Sequence, residues 1–228
     1  METIRLTMQD ALNIVHEGYA HHDFRLNEVE GIVCDFGNLQ CVDFRGTEFT
    51  GALENGGIWD IIRDARTLPW YDKRVGWSHA GFLKGARVAV DGYLNLALDL
   101  NRPVAFFGHS LGAGLAINAA AMMKNMGWNV VFMFGLGAPR TLRRRTQRKF
   151  EKLGIQTHLF ANPGDPVDNV PPPWLGFRHA VELTRTVRPG QGFPGISHNH
   201  MMPHYVEALV GEYRNETIPD HFDIVIPD

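Results

Sequence analysis

Apolar and polar positions recur in two rhythms along this chain, and the switches between them mark its elements. From Thr7 to Tyr19 the apolar residues Met8, Ala11, Leu12, Val15 and Tyr19 fall near helical spacing, which predicts an amphipathic helix. Glu30-Gly31-Ile32-Val33-Cys34 and Leu39-Gln40-Cys41-Val42-Asp43-Phe44 read as two strands of a hairpin closed at Gly37-Asn38. Ile58 to Ile62 reads as a short helix, and Ala80-Gly81-Phe82-Leu83 opens a longer one through Val88, Tyr93, Leu96 and Leu100. Pro103 to Phe107 and Val130 to Phe134 are apolar throughout, as strands buried on both faces are. The first leads into the small-residue stretch Ala113 to Ala121, the second toward a helix over Arg143 to Leu153. A strand over Ile155 to Phe160, another over Ala180 to Val187 and a helix from about Met201 to Glu212 complete the pattern. Such alternation predicts an α/β fold, with a mainly parallel central sheet covered by helices on both faces.

With 228 residues, 44% of them hydrophobic, the chain can bury a full core, and residues 1–228 are expected to form one globular unit. Glu2, Arg5, Gln9, Asp10, Asn13 and His16 interrupt the first twenty residues, so neither a secretory apolar region nor a membrane span is expected there. The protein reads as soluble and unexported. Cys34 and Cys41 would stand opposite each other at a hydrogen-bonded pair of the hairpin, a poor site for a disulfide, and free thiols are expected. The net charge is −3, yet Arg140, Arg143, Arg144, Arg145, Arg148 and Lys149 concentrate positive charge in one segment. Such a run reads as a solvated face; without interleaved aromatics it does not read as a nucleic-acid site, and attraction to an anionic lipid surface is the alternative reading.

Gly108-His109-Ser110-Leu111-Gly112 sits at the junction between an apolar strand and a small-residue helix. A serine there is lifted off a rigid element, and the flanking glycines let the sharp turn and the helix pack closely. Only Ser78 and Ser197 are other serines, so Ser110 is the candidate nucleophile. Ligands of parallel sheets bind at the carboxyl ends of strands. The loops expected there carry Thr47, Ser110 and Asp165, followed by His198, His200 and His204. The order serine, acid, histidine is the one that accompanies a nucleophile elbow. His200 and His204 have the spacing of a helical zinc pair, but Met201, Met202 and Pro203 stand where a glutamate is needed, so no metal and no cofactor is expected.

In this context the chain resembles the class 3 lipases, α/β-hydrolases that include the fungal triacylglycerol lipases. Phe44-Arg45-Gly46-Thr47, Trp59-Asp60, His79-Ala80-Gly81-Phe82, the serine pentapeptide, Gly137-Ala138-Pro139-Arg140 and Asp165-Pro166-Val167 with Pro171-Pro172 carry the likeness in order. The resemblance implies an α/β-hydrolase fold, with Ser110 as nucleophile, Asp165 as triad acid, and the backbone N–H groups of Thr47 and Leu111 as the oxyanion pair. Asp168 is the rival acid, expected to be a turn residue. Asn199-His200 with Tyr205 fits the family's spacing for the catalytic histidine, which makes His200 the choice, His204 the runner-up and His198 third. His79, His109, His158 and His179 are assigned to packing or structural hydrogen bonds. Phe49 to Trp70 is rich in apolar residues and glycines, and in the family such a segment forms a lid. The implied function is hydrolysis of carboxylic esters at an apolar acyl site, on an ester or lipid substrate and at a lipid–water interface. A phospholipase A1-type activity and a catalytically silent binding protein are the alternatives.

Overall fold

Seven strands form the central sheet of the computed structural model, which describes residues 2–46, 68–186, 198–212 and 214–227. Strand β1 (Glu2–Thr7) runs into helix α1 (Met8–Ala20), where Thr7 Oγ1 accepts from the Asp10 N–H at 3.1 Å and the Thr7 N–H donates to the Asp10 carboxylate at 3.1 Å. This reciprocal capping satisfies two donors that a helix start leaves open. Next come β2 (Phe24–Leu26), β3 (Val29–Phe36) and β4 (Leu39–Phe44), an antiparallel run turning at Gly37-Asn38. Cys34 pairs with Cys41 across it, and both thiols are free.

The hairpin β5 (Pro69–Asp72) and β6 (Gly76–His79) precedes α2 (Ala80–Ala89). That helix continues through a π-helical turn, Val90–Leu94, into one last turn, Asn95–Ala97. The chain then alternates: β7 (Val104–His109), α3 (Leu111–Asn125), β8 (Val130–Leu136), β9 (Leu142–Arg143), α4 (Arg144–Glu151) and β10 (Gln156–Ala161). It closes with β11 (Phe177–Arg178), β12 (Leu183–Arg185), α5 (Met202–Val210) and β13 (His221–Ile226).

The central order is β12-β10-β8-β7-β4-β3-β2, parallel from β12 to β4 and antiparallel beyond. Alternate residues along these strands feed two apolar layers. Val42, Phe44, Val104, Phe106 and Met133 pack with α2 and α3, whereas Cys41, Ala105, Phe107, Phe132 and Phe134 pack with α1, α5 and β13. Helix α3 lies close because its inward positions are Ala113, Ala116, Ala119 and Ala120, all fully buried. At its first turn a Cβ on Gly112 would overlap the Phe44 carbonyl oxygen, so only glycine lets the helix start against the end of β4.

The expected α/β layering and hairpin are present, and the differences lie at the margins. Strands β1 and β13, antiparallel partners along their length, fall in segments the sequence pattern left unassigned. A second sheet, β11-β9-β6-β5, gathers short pieces from three regions of the chain. The strand expected over 180–187 is confined to Leu183–Arg185, the helix over 143–153 to Arg144–Glu151, and the last helix to Met202–Val210. The helix expected over 58–62 and most of the segment read as a lid lie outside the described residues.

Asp43 is a fully buried carboxyl group in β4 against Gly18 of α1, and neither oxygen has a hydrogen-bond partner among the described residues. Burial pushes its pKa well above the usual carboxylate range, with the neighbouring Cys34 thiol adding to the rise. The folded protein holds this group neutral while the unfolded chain ionises it near pH ~4, so its stabilising contribution is full below that pH and is lost as pH rises toward the folded pKa. Asp43→Asn is therefore expected to gain stability over the parent with rising pH, by at most about 1.4 kcal/mol per unit, and to gain nothing from this source at pH ~3. Urea unfolding of both proteins across pH measures that difference. In the same assay Gly112→Ala should lose about 3 kcal/mol or more, because the overlapping atom belongs to backbone that cannot rotate away.

Candidate active site

Strand β7 ends at His109, and Ser110 turns the chain with φ 59° and ψ −128°. Apart from Asn27, Ser110 is the only non-glycine residue of the described chain with positive φ. Backbone strain of this kind persists only where its surroundings enforce it, and it clusters at functional sites. Here the Ser110 N–H donates to Leu136 O of β8 at 2.9 Å and its carbonyl accepts from the Ala113 N–H at 3.1 Å, fixing the turn from both sides. The side chain is buried, and Oγ makes no hydrogen bond among the described residues. Leu111 opens α3, where first-turn N–H groups have no acceptor within the helix. Thr47 lies outside the described residues. Its predecessor Gly46 sits against the serine: a Cβ there would stand 3.3 Å from Ser110 Cβ.

Asp165 belongs to the turn that follows β10, and His200 closes a short 3-10 turn before α5. The two side chains meet in the interior, with His200 Nδ1 at 2.7 and 2.8 Å from the Asp165 carboxylate oxygens. The carboxylate also accepts from the Tyr205 hydroxyl at 2.5 Å and the Val167 N–H at 2.8 Å. Burial favours its neutral form, but the His200 imidazole and these donors outweigh that and lower its pKa. Since a carboxylate only accepts, Nδ1 carries the hydrogen, which leaves Nε2 as the ring nitrogen able to exchange a proton.

Several neighbours fix this pair. The Asn162 side chain donates to Asn199 O at 3.0 Å and accepts from Thr186 Oγ1 at 2.8 Å, while its N–H donates to the Tyr205 hydroxyl at 3.2 Å. Gly137 has φ 55°, and a Cβ there would come within 2.7 Å of Asp165 Oδ2 and 2.8 Å of His200 Cε1. The His109 ring stacks on the His200 ring with centroids 4.7 Å apart, and its Nε2–H donates to the His200 carbonyl at 2.7 Å. Burial and the nearby His200 push the His109 pKa down to about 3, so its Nδ1 accepts, and the Tyr19 hydroxyl of α1 supplies that bond at 2.6 Å. The residue before the serine thus grips the backbone of the histidine.

The rival residues point elsewhere. The Asp168 carboxylate pairs with Arg185 and accepts from Asn169 Nδ2 at 2.6 Å; burial pushes its pKa up to about 6 in spite of the arginine. His204 Nδ1 lies 3.6 Å from Glu207, so it and His200 turn to different carboxylates rather than to a common point. His79 packs between Phe82 and Phe177, and His158 against Phe132 and Phe222. Local sequence pattern does not mark Tyr19 or Asn162 as residues of the site. The turn-forming Asn162-Pro163 pair was the available sign of one, whereas Tyr19 was indistinguishable from other apolar positions of α1.

Similarity to known proteins bears on the family and the fold. The model of the class 3 lipase family matches residues 42–174. Among solved structures, a Rhizomucor miehei lipase in complex with its propeptide aligns at 24% identity and a TM-score of 0.60, over 72% of this chain and 54% of that one. Lipase II from Rhizopus niveus aligns at 26% identity and 0.57, over 72% and 63%. The chain therefore spans between half and two thirds of the length of these lipases. A triacylglycerol lipase described by its serine-protease triad aligns at 16% identity and 0.64 over 93% of this chain and all of that one, and supports the fold alone. None of the curated proteins compared matches the chain. With more than half its residues accounted for by the family model and its central sheet shared with these enzymes, the chain belongs to the class 3 lipase family and has the α/β-hydrolase fold.

Proposed function

We propose that the chain is one hydrolase domain, residues 1–228, that cleaves carboxylic esters through a Ser110-His200-Asp165 triad. The single observation carrying this reading is the buried His200–Asp165 pair held against the strained serine turn. His200 Nε2 takes the proton of Ser110 Oγ as that oxygen attacks the ester carbonyl, and Asp165 keeps the imidazole in the required tautomer and stabilises the imidazolium. The tetrahedral oxyanion is met by the Leu111 N–H at the start of α3 and by the N–H of Thr47, each such donor being worth about a hundredfold to a thousandfold in rate. His200 then hands the proton to the leaving alkoxide, and an acyl-serine remains. Water attacks it with the same imidazole as base, releasing the acid and restoring Ser110. Membership of the class 3 lipase family and the apolar residues of 49–70 favour a lipid acyl chain over a small polar one.

Turnover of p-nitrophenyl esters of short and long chains tests the reading. Ser110→Ala and His200→Ala are each expected to lose about four orders of magnitude or more in kcat, whereas His204→Ala and Asp168→Asn stay within about threefold. Hydrolysis that survives Ser110→Ala would overturn the assignment. Tyr205→Phe removes one donor from the Asp165 carboxylate and the acceptor of the Asn162 N–H, so it should cost about 1–3 kcal/mol of stability in urea unfolding and about tenfold in kcat.

A further inference from the structure

The small sheet has two different faces. Trp70 lies under Lys84 and Arg87 of α2, and Gly76 meets Thr146 of α4, so the side holding Trp70 and Gly76 is covered by helices. Cross-strand partners share a face. The pairings Tyr71 with Trp77, Ser78 with Leu142 and Phe177 with Arg143 therefore set Tyr71, Trp77, Arg143 and Phe177 in one row across all four strands, on the opposite side. Tyr71 and Trp77 are half exposed, with ring centroids 5.4 Å apart. The Arg143 guanidinium lies over the Phe177 ring at 5.4 Å and donates to Leu175 O at 2.6 Å. In the same turn Trp174 is 82% exposed and Leu175 39%.

Beside this row the charge is as unusual as the aromatic exposure. Arg143 stands at the N-cap of α4 and Arg144 and Arg145 are its first two residues, both exposed, in a first turn that carries no acidic residue. Three cations there oppose the positive end of the helix dipole, so helix stability does not account for them. Among the described residues none of the three has an ion-pair partner. The whole chain is net negative, so the cluster is local rather than a trait of the composition.

We propose that this face docks on an anionic lipid–water interface, with Tyr71, Trp77, Trp174 and Leu175 entering the headgroup layer and Arg143, Arg144 and Arg145 meeting lipid phosphates. Tryptophan and tyrosine favour that layer because an apolar ring carries a polar end, and arginines near an anionic leaflet gain from its surface potential. The face adjoins the site through residues 137–142, which run from Gly137 beside Asp165 and His200 into β9. The proposal rests on the ester-hydrolase reading for its purpose and names the surface from which such an enzyme would draw its substrate.

Cosedimentation of Ser110→Ala protein with vesicles of phosphatidylcholine, alone or mixed with phosphatidylglycerol, tests docking without turnover. About tenfold stronger partitioning onto the anionic vesicles is expected, abolished by molar salt. Arg144→Glu with Arg145→Glu should erase that preference, and Trp77→Ser with Trp174→Ser should weaken binding to both vesicle types. Thermal unfolding reports that each variant is folded, and the milder pair Arg144→Ala with Arg145→Ala replaces any that is not. Equal binding to the two lipids, indifference to charge reversal, or binding to RNA with vesicles ignored would each overturn the proposal. Wild-type turnover of soluble p-nitrophenyl butyrate separates the two readings: vesicle binding without turnover leaves the docking surface standing and removes the hydrolase, and turnover without vesicle binding does the reverse.

Discussion

A charged carboxylate in a dry interior is the constraint around which this structure is organised. Isolated, Asp165 would be protonated and could not orient an imidazole; it stays ionised because His200, Tyr205 and the Val167 N–H all converge on it. Each donor imposes a demand on the fold. His200 must end the turn just before α5 and Tyr205 must lie in its first turn, the turn after β10 must be rigid enough to present Val167, and Gly137 must leave room for the Asp165 carboxylate and the His200 ring to meet. Asp43 shows the contrast. Equally buried and without such donors, it is held neutral.

The parts of the fold that were legible in the sequence are those in which local pattern and tertiary role coincide. Central strands buried on both faces are apolar runs whatever their neighbours, and the Gly37-Asn38 turn sets its own hairpin register, so β3, β4, β7, β8 and β10 could be read directly. Ser110 was legible because a strained turn between strand and helix demands glycines on both sides. The choice between Asp165 and Asp168, or between His200 and His204, was not a matter of local pattern: residues three or four apart are separated only by the direction in which a turn aims them. In both cases the motif spacing of the family led to the residues that face each other in the interior.

What stayed hidden has a common cause. Strands β9 and β11 contain two residues each, too short for any periodicity, and exist because longer neighbours supply their hydrogen bonds. Strands β1 and β13 are single short segments that find each other from opposite ends of the chain, a pairing that no local pattern announces. Tyr19 looks like any apolar residue of an amphipathic helix, and only the folded molecule reveals that its hydroxyl reaches His109.

The link from Tyr19 through His109 to His200 joins segments separated by 90 and then 91 residues. Contacts of such long range form late, because the chain entropy lost in closing those loops must already be offset by other structure. The candidate site is thus assembled by completion of the whole topology rather than by any one supersecondary unit. A chain that had built its strands but not seated α1 would lack the Tyr19 hydroxyl that holds His109 Nδ1, and with it the first link of this relay.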